Sequence, residues 1–336
     1  MVNHCLTPRF IVQKFAAGED HGRFTAAALF VDVSGFTAAT EVLMQHGQHG
    51  AEVMASVMRA LFSPLVEFVY QYDGFVTGFA GDAFTAVFPV DIDGSHTAAE
   101  RAIATAAQVQ QHMQNHADYK TVYGTFSFAI KVGIAAGETA WGILSGEQPD
   151  QQSYYFSGYA IDECAHAEHF AERGDVIVSA EIAEEGGHLL TADLIDGTAD
   201  FLRVTAFQEI ETITAQAADP AAVEIGMAQA AAFMPEALLT EETVYGEFRQ
   251  IISMFISLDG VSTHTQLAEF MQGVFTLQAS YGGFFNRIDF GDKGCNLLIF
   301  WGAPSAHEND VDRALHFILD LRRHVDFKMR IGITSY

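Results

Sequence analysis

The sequence predicts an α+β fold of two ferredoxin-like βαββαβ units in tandem, the second one incomplete. Two observations support this prediction: four segments recur in the same order, and each copy alternates strand-length apolar runs with stretches of helical periodicity. In such a unit the first strand lies centrally beside a hairpin, and the helices cover one face of the sheet. The predicted divisions are an N-terminal segment 1–24, a first unit 25–190, a connector 191–246 and a second unit 247–336.

The repeat consists of four pairs of similar segments. The clearest pair sets AALFVDVSGFTAATE against SMFISLDGVSTHTQL, and three further pairs follow along the chain. Because the four segments recur in the same order, the chain contains two copies of one structural unit. With the first copy before the second, the pairs are 27–41 and 253–267, 70–89 and 278–304, 97–113 and 309–325, and 128–138 and 327–336.

Each element of the first unit follows from its apolar pattern. The first strand is a continuous apolar run, whereas the helix after it repeats apolar residues at helical spacing, as in Val57, Leu61 and Leu65. Gly74 opens a hairpin whose two strands flank the turn 80–82. A helix with one apolar face and a last strand close the unit. In chain order the predicted elements are a strand 26–33, a helix 41–69, hairpin strands 75–79 and 84–88, a helix 97–114 and a strand 127–135.

The segment between the two copies has a different composition. It is rich in Ala, Glu and Thr and contains Pro220 and Pro235, which predicts some helix and a connecting segment rather than another unit of the same kind. The second copy stops at Tyr336, within its last predicted strand. We therefore expect the chain to be an amino-terminal part of a longer protein.

The charge of the chain is strongly acidic. Seventeen Lys and Arg residues against 43 Asp and Glu give a formal net charge of −26, which disfavours nucleic acid and anionic membranes as partners. The sequence has no apolar run of the ~18–20 residues that a membrane-spanning helix needs, and its start does not resemble a secretory signal. The three cysteines are far apart, so neither a disulfide framework nor a Cys-x-x-Cys metal pair is indicated. These features predict a cytoplasmic location.

Two aspartates in the first unit are candidate metal ligands. Asp32 lies near the end of the first strand, and Asp82 lies in the hairpin turn that this topology places beside that strand end. Two converging carboxylates repel each other unless a cation lies between them, and a hard divalent ion such as Mg²⁺ or Mn²⁺ suits oxygen ligands. The turn at Gly35, just before a helix, is a natural site for polyphosphate oxygens.

These residues resemble a known family. FVDVSGFTAATE (30–41) and GFAGDAFTAVF (78–88) look like the metal-binding motifs of class III nucleotidyl cyclases, and KVGIAAGE (131–138) resembles the strand that follows them. The tandem arrangement and DKGC (292–295) are most similar to the soluble adenylyl cyclase branch. The resemblance implies conversion of ATP to 3′,5′-cyclic AMP and pyrophosphate at the interface between two paired domains of the same chain.

The resemblance also implies roles for single residues. Asp32 and Asp82 would hold two Mg²⁺ or Mn²⁺ ions, one activating the ribose 3′-hydroxyl and the other neutralising the triphosphate, and Val33 would add a carbonyl ligand. Lys293, in the second unit, would donate to the adenine ring, which favours ATP over GTP. The nucleotide phosphates would be bound by Gly35, Phe36, Thr37 and Lys131.

The second unit lacks the metal ligands. When the copies are aligned, Ser257 stands opposite Asp32 and Cys295 opposite Asp82, so one functional site and one degenerate site are expected. In bicarbonate-responsive relatives the degenerate site carries a lysine and an arginine, where this chain has Gly78 and Ala165.

The second unit also departs from the family pattern at its end. The Asn and Arg that the family's second domain supplies have no counterpart in 247–336. Loss of such groups costs on the order of 10²–10⁵ in rate, so we expect residues 1–336 alone to be weak or inactive.

Two other functions compete with this interpretation. A non-catalytic, cyclase-derived regulatory module that binds nucleotide would have the same fold, although the presence of both aspartates argues against it. A diguanylate cyclase also shares the fold, but its GGDEF signature is replaced by GFAGDAF in this chain.

Overall fold

In its described residues the computed structural model contains two large β-sheets with helices packed on them, and a small two-stranded sheet. Short helix α1 (Arg9–Ala16) precedes the first sheet, and a 3₁₀ turn (Ile210–Thr212) follows it. The residues that the structure describes are 7–90, 96–148, 151–213, 232–233, 250–290, 294–303 and 305–335.

The first sheet has eight strands. The two longest, β1 and β6, are adjacent and antiparallel near its centre. Its order is β2-β3-β1-β6-β8-β10-β9, with β7 paired to the far half of β6. The strands are β1 (His21–Ser34), β2 (Phe75–Ala80), β3 (Ala83–Pro89), β6 (Ala129–Ser145), β7 (Gln152–Ser157), β8 (Val176–Ser179), β9 (Leu190–Leu194) and β10 (Phe201–Phe207), and β4 (Asp118–Thr121) and β5 (Gly124–Ser127) form a separate hairpin.

Helices cover both faces of this sheet, whereas the sequence predicted them on one face. Along β1, Leu29 and Val31 belong to a core shared with α3 and α4, while Ala26 and Ala28 belong to a core shared with α1 and α5. The prediction was wrong because the small residues on the second face leave room for α5, which packs on β6 and β1. The helices of this unit are α2 (Phe36–Met44), α3 (Gly47–Gln71), α4 (Ala98–Asn115), α5 (Tyr159–Glu168) and α6 (Ala180–Glu185).

The predicted helix 41–69 is divided in two. Helix α2 ends at Met44, and α3 begins at Gly47, whose φ of +59° is a left-handed conformation that suits glycine. Among the described residues, α3 is the one helix long and apolar enough to cross a membrane. Seven of its residues are buried in the protein, among them Leu61 and Leu65, as expected of a core helix.

The first sheet continues beyond the predicted domain boundary at residue 190. Strand β10 pairs with β8 through Phe201 and with β9 through Leu202, so 190–207 complete the first unit instead of starting the connector. The polar composition of this stretch hid the two strands, in which only the first residues, Leu190 and Phe201, are buried. Pro220 and Pro235, with the expected helix around them, lie outside the described residues.

The second sheet repeats the central part of the first. Its strand order is β12-β13-β11-β14, the same arrangement as β2-β3-β1-β6. Ser257 pairs with Asn296 and Arg330, just as Asp32 pairs with Ala83 and Lys131. The elements are β11 (Ile252–Leu258), α7 (His264–Tyr281), β12 (Phe284–Asp289), β13 (Cys295–Trp301), α8 (Asp310–His324) and β14 (Met329–Ser335).

Candidate active site

The structure brings Asp32 and Asp82 together at one end of the first sheet. Asp32 pairs with Ala83 across β1 and β3, and the Val33 amide donates a hydrogen bond of 3.1 Å to the carbonyl oxygen of Asp82. Asp82 lies in the turn between β2 and β3, where Gly81 adopts a φ of +68° that suits glycine. The two carboxylates therefore lie at the same corner of the sheet, as the sequence predicted.

The charge of this corner is unfavourable for a free carboxylate. Burial raises the pKa of Asp32 to about 6, the carboxylates of Glu168 and Asp82 act in the same direction, and Lys131 opposes them. A half-buried carboxylate close to two others is the arrangement that a divalent cation stabilises. The oxygen donors fit the hard ions Mg²⁺ and Mn²⁺.

Glu168 is a member of this cluster that sequence reasoning missed. It is the last residue of α5, its exposure is only 8%, and its Oε1 lies 3.1 Å from Lys131 Nζ. Helical spacing could have identified it, because Cys164, four residues earlier, is a buried residue of the same helix face. A glutamate on the apolar face of a helix indicates a buried charged partner.

Lys131 lies directly opposite Asp32 in the pairing of β1 with β6. Its side chain is 30% exposed and forms an ion pair with Glu168, so part of its charge is already matched within the protein. Its ammonium group is a mobile point charge that suits phosphate binding. Lys131 therefore lies beside Asp32, and Glu168 competes with a phosphate for its ammonium group.

The predicted phosphate turn precedes helix α2. Gly35 is the N-cap, its φ is +100°, and a Cβ at this position would lie 2.7 Å from the Ser127 carbonyl oxygen. No side chain caps the helix, so the amides of Phe36 and Thr37 at its start have no partner within the helix. Thr37 is exposed, and Phe36 packs partly against the core. Free amides at a helix start attract anions.

The second sheet has no equivalent acidic corner at the aligned positions. Cys295 is buried, and burial together with the charge of Asp289 raises its pKa to about 12, so it remains a thiol at neutral pH. A buried thiol is a poor ligand for a hard cation. Lys293, the predicted adenine contact, lies outside the described residues.

A cavity of about 600 Å³ lies between the two units. The first unit contributes Phe30, Phe79 and Glu168, and the second contributes Phe285 and Arg287. Phe30 and Asp32 are two positions apart on β1, so their side chains lie on the same face of the sheet. Glu168 belongs both to the cavity wall and to the acidic cluster. Gly78 and Ala165, which replace the basic residues of bicarbonate-responsive relatives, also line the cavity.

The fold and the paired aspartates define a nucleotide cyclase type of catalytic domain. The chain belongs to the adenylate and guanylate cyclase catalytic domain family, whose model matches residues 21–191. This match confirms the family resemblance of the motifs around Asp32 and Asp82.

Similar proteins support the same family. Adenylate cyclase type 10 of Rattus norvegicus is 28% identical over 158 residues, which are 46% of this chain and 10% of that protein. Its Homo sapiens counterpart is 27% identical over 158 residues, covering 46% of this chain and 9% of that protein. The chain thus spans about a tenth of the length of these relatives.

One solved structure is similar over nearly the whole chain. It is described as a class III adenylyl cyclase-like ATP-binding protein from Pseudomonas aeruginosa, and it matches with a TM-score of 0.62 at 12% identity. The match covers 94% of this chain and 76% of that chain. The likeness is one of fold, and it extends over both units.

Proposed function

We propose that the chain is the catalytic region of an adenylate cyclase, which converts ATP to 3′,5′-cyclic AMP and pyrophosphate for intracellular signalling. The observation that carries this proposal is the corner at which Asp32 and Asp82 converge beside Lys131. Its half-buried, mutually repelling carboxylates favour a divalent cation, and the uncapped start of α2 beside them favours an anion. A metal-bound polyphosphate meets both requirements at once.

The residues of the first unit have distinct tasks in this proposal. Asp32 and Asp82, with the Val33 carbonyl, would hold two Mg²⁺ or Mn²⁺ ions. Those ions would supply an activated ribose 3′-hydroxyl and neutralise triphosphate charge. The amides around Gly35, including those of Phe36 and Thr37, orient the phosphates. Lys131 exchanges its ion pair with Glu168 for a contact with the terminal phosphate.

The second unit would supply recognition of the base. Its strand order matches that of the first unit, and the cavity between them is lined by both, which supports intramolecular pairing of two cyclase domains. Lys293 would donate to an adenine ring nitrogen, which selects ATP over GTP because guanine presents a donor there. We infer a cytoplasmic site of action from the acidic surface and from the similarity to adenylate cyclase type 10.

Turnover by residues 1–336 alone is expected to be low. The transition-state Asn and Arg of the family have no counterpart in the second unit, and such groups contribute on the order of 10²–10⁵ in rate. Nucleotide and metal binding depend on residues that this chain does contain. Binding and turnover therefore need separate measurements.

A non-catalytic nucleotide-binding regulatory module is the second candidate. The ion pair between Lys131 and Glu168 favours it, because a lysine held by a buried carboxylate is less available to a phosphate. The two functions differ in product and not in ligand. Mass spectrometry of the nucleotide after incubation with the protein therefore distinguishes them.

The decisive experiment uses Asp32→Asn and Asp82→Asn, with Asp196→Asn as a control at an exposed loop position. ATP binding is measured by calorimetry with Mn²⁺, and products are identified by mass spectrometry. We expect both site variants to lose Mn²⁺-dependent ATP binding and any cyclic AMP formation, and the control to retain them. Unchanged Mn²⁺-dependent binding in either site variant would refute the proposed metal site. Binding without cyclic AMP formation in the full-length protein would favour the regulatory module.

A further inference from the structure

A second group of metal-ligating side chains lies where the two units meet. Asp20 and His21, at the start of β1, and His264, the first residue of α7, place one ligand atom each within 4.8 Å of one another. The His21 and His264 rings stack with centroids 4.6 Å apart, and Asp20 Oδ1 lies 2.7 Å from His21 Nδ1. The cluster joins residues that are 243 positions apart in sequence (264 − 21).

The backbone is shaped to admit this cluster. His21 pairs with Gly142 across β1 and β6, and the His264 ring lies over that glycine. A Cβ at residue 142 would be 2.7 Å from His264 Nδ1 and 2.4 Å from the Tyr155 ring. Glycine at this position is therefore a condition for the approach of His264 to His21.

We propose that Asp20, His21 and His264 bind a divalent transition-metal ion such as Zn²⁺, which bridges the two units. Two imidazoles and a carboxylate are a common zinc ligand set, with a water molecule in the fourth position. Zinc bonds of about 2.0–2.1 Å place tetrahedral ligand atoms ~3.4 Å apart. In the structure the His21 and His264 ring planes are only 9° apart, so their in-plane lone pairs do not yet converge. The Asp20 and His21 side chains are 73% and 58% exposed, so both have room to turn, and the His21 ring would leave its stacked position to bind the ion.

The neighbours of His264 prepare it to act as a ligand. Its Nδ1 lies 3.2 Å from the Tyr155 hydroxyl, which leaves Nε2 for a metal while the tyrosine orients the ring.

The bridge would reinforce an existing contact between the units. Tyr155 of β7 belongs to the core of the second unit, and Gln272 Nε2 of α7 donates to the Ser145 carbonyl at 2.7 Å. A metal shared by β1 and α7 would tie both sides of this interface together.

The proposed site is separate from the candidate active site. Asp32 follows His21 by eleven residues of one strand (32 − 21), which corresponds to about 36 Å. The inference therefore does not depend on the proposed cyclase activity, and it is testable in protein whose active-site aspartates are replaced.

The test uses the chain in an Asp32→Asn, Asp82→Asn background and titrates Co²⁺ and Zn²⁺. Tetrahedral coordination of Co²⁺ by nitrogen and oxygen gives visible absorption bands that Zn²⁺ then removes. We expect one equivalent of either metal, slower hydrogen exchange at the start of α7, and a metal affinity reduced by about 100-fold or more in His21→Ala or His264→Ala. Tyr155→Phe should lower the metal affinity by about 10-fold, the effect of a group that orients a ligand.

Controls separate ligand loss from misfolding. His324→Ala, an exposed histidine of α8, should leave the affinity within twofold of the parent. His21→Ala removes an exposed side chain, so its thermal unfolding without metal should match the parent. The proposal is overturned if the Co²⁺ bands are missing, if they persist in both His21→Ala and His264→Ala, or if His324→Ala weakens binding equally.

Discussion

Replacement of Asp32 by asparagine should stabilise the metal-free protein while removing metal binding at the corner formed by Asp32 and Asp82. The carboxylate has a pKa raised from 3.8 to about 6 by burial and by the nearby charges of Glu168 and Asp82. The folded protein thus favours the protonated carboxyl. Its contribution to stability is fully present below pH 3.8 and is lost as the pH rises through about 6. At pH 7.5 the ionised carboxylate therefore destabilises the fold, and neutral asparagine does not.

The size of the effect follows from the same pKa. A rise from 3.8 to about 6 corresponds to about 3 kcal/mol, at about 1.4 kcal/mol for each tenfold change in proton affinity. Because Asp32 is only half-buried, solvent screening reduces the stabilisation to roughly 1–2 kcal/mol. For a domain of this size that amounts to an increase in Tm of about 2–8 °C.

Thermal unfolding followed by circular dichroism measures this difference. In EDTA at pH 7.5 the Asp32→Asn protein should melt above the wild type, and at pH 4 the two should converge. Millimolar Mn²⁺ should raise the Tm of the wild type more than that of Asp32→Asn, since a ligand stabilises the protein that binds it. The exposed Asp196→Asn control should melt like the wild type under all three conditions. An Asp32→Asn protein that melts at or below the wild type in EDTA at pH 7.5 would refute the reasoning.

Three further substitutions test other parts of the structure. Glu168→Gln frees Lys131 from its ion pair and should tighten Mn²⁺-ATP binding about 2–5-fold by calorimetry; weaker binding would mean that Glu168 helps to hold the ligand. Gly35→Ala should cost about 1–3 kcal/mol in urea unfolding and weaken ATP binding, because φ is +100° and a Cβ would contact the Ser127 carbonyl; unchanged values would contradict the turn geometry. Arg101→Met removes a buried guanidinium that donates to three backbone carbonyls and should lower the unfolding free energy by about 2–4 kcal/mol. A loss below ~0.5 kcal/mol would show that the carbonyls find other partners.

The sequence predicted those elements of the fold that depend on neighbouring residues and on the repeat. The hairpin around Asp82 and the alignment of Ser257 with Asp32 follow from apolar periodicity and repetition, and the strand pairings agree with both. The division of the predicted helix 41–69 was missed because its apolar periodicity runs past Gly47 without a proline or an acidic cap to end it.

Contacts between distant segments explain what the sequence did not reveal. Glu168 was overlooked because its partner Lys131 is 37 residues away, and the pair became visible only when α5 was placed on β6. His264 and Gly142 belong to different units, and nothing in either local sequence connects them. Strands β9 and β10 were assigned to a connector because only the pairing of β10 with β8 and with β9 distinguishes them from a polar loop.

Strand β1 is a single uninterrupted strand from His21 to Ser34, and it is paired with β6 along its entire length. It carries the proposed bridging metal ligands at one end and the carboxylate of Asp32 at the other. Strand β3 pairs with β1 as well, from Ala26 to Asp32, so hydrogen-bonded backbone connects the two ends without a break. If occupation of either end displaces the strand, metal and nucleotide must change each other's affinity by the same factor, whichever binds first.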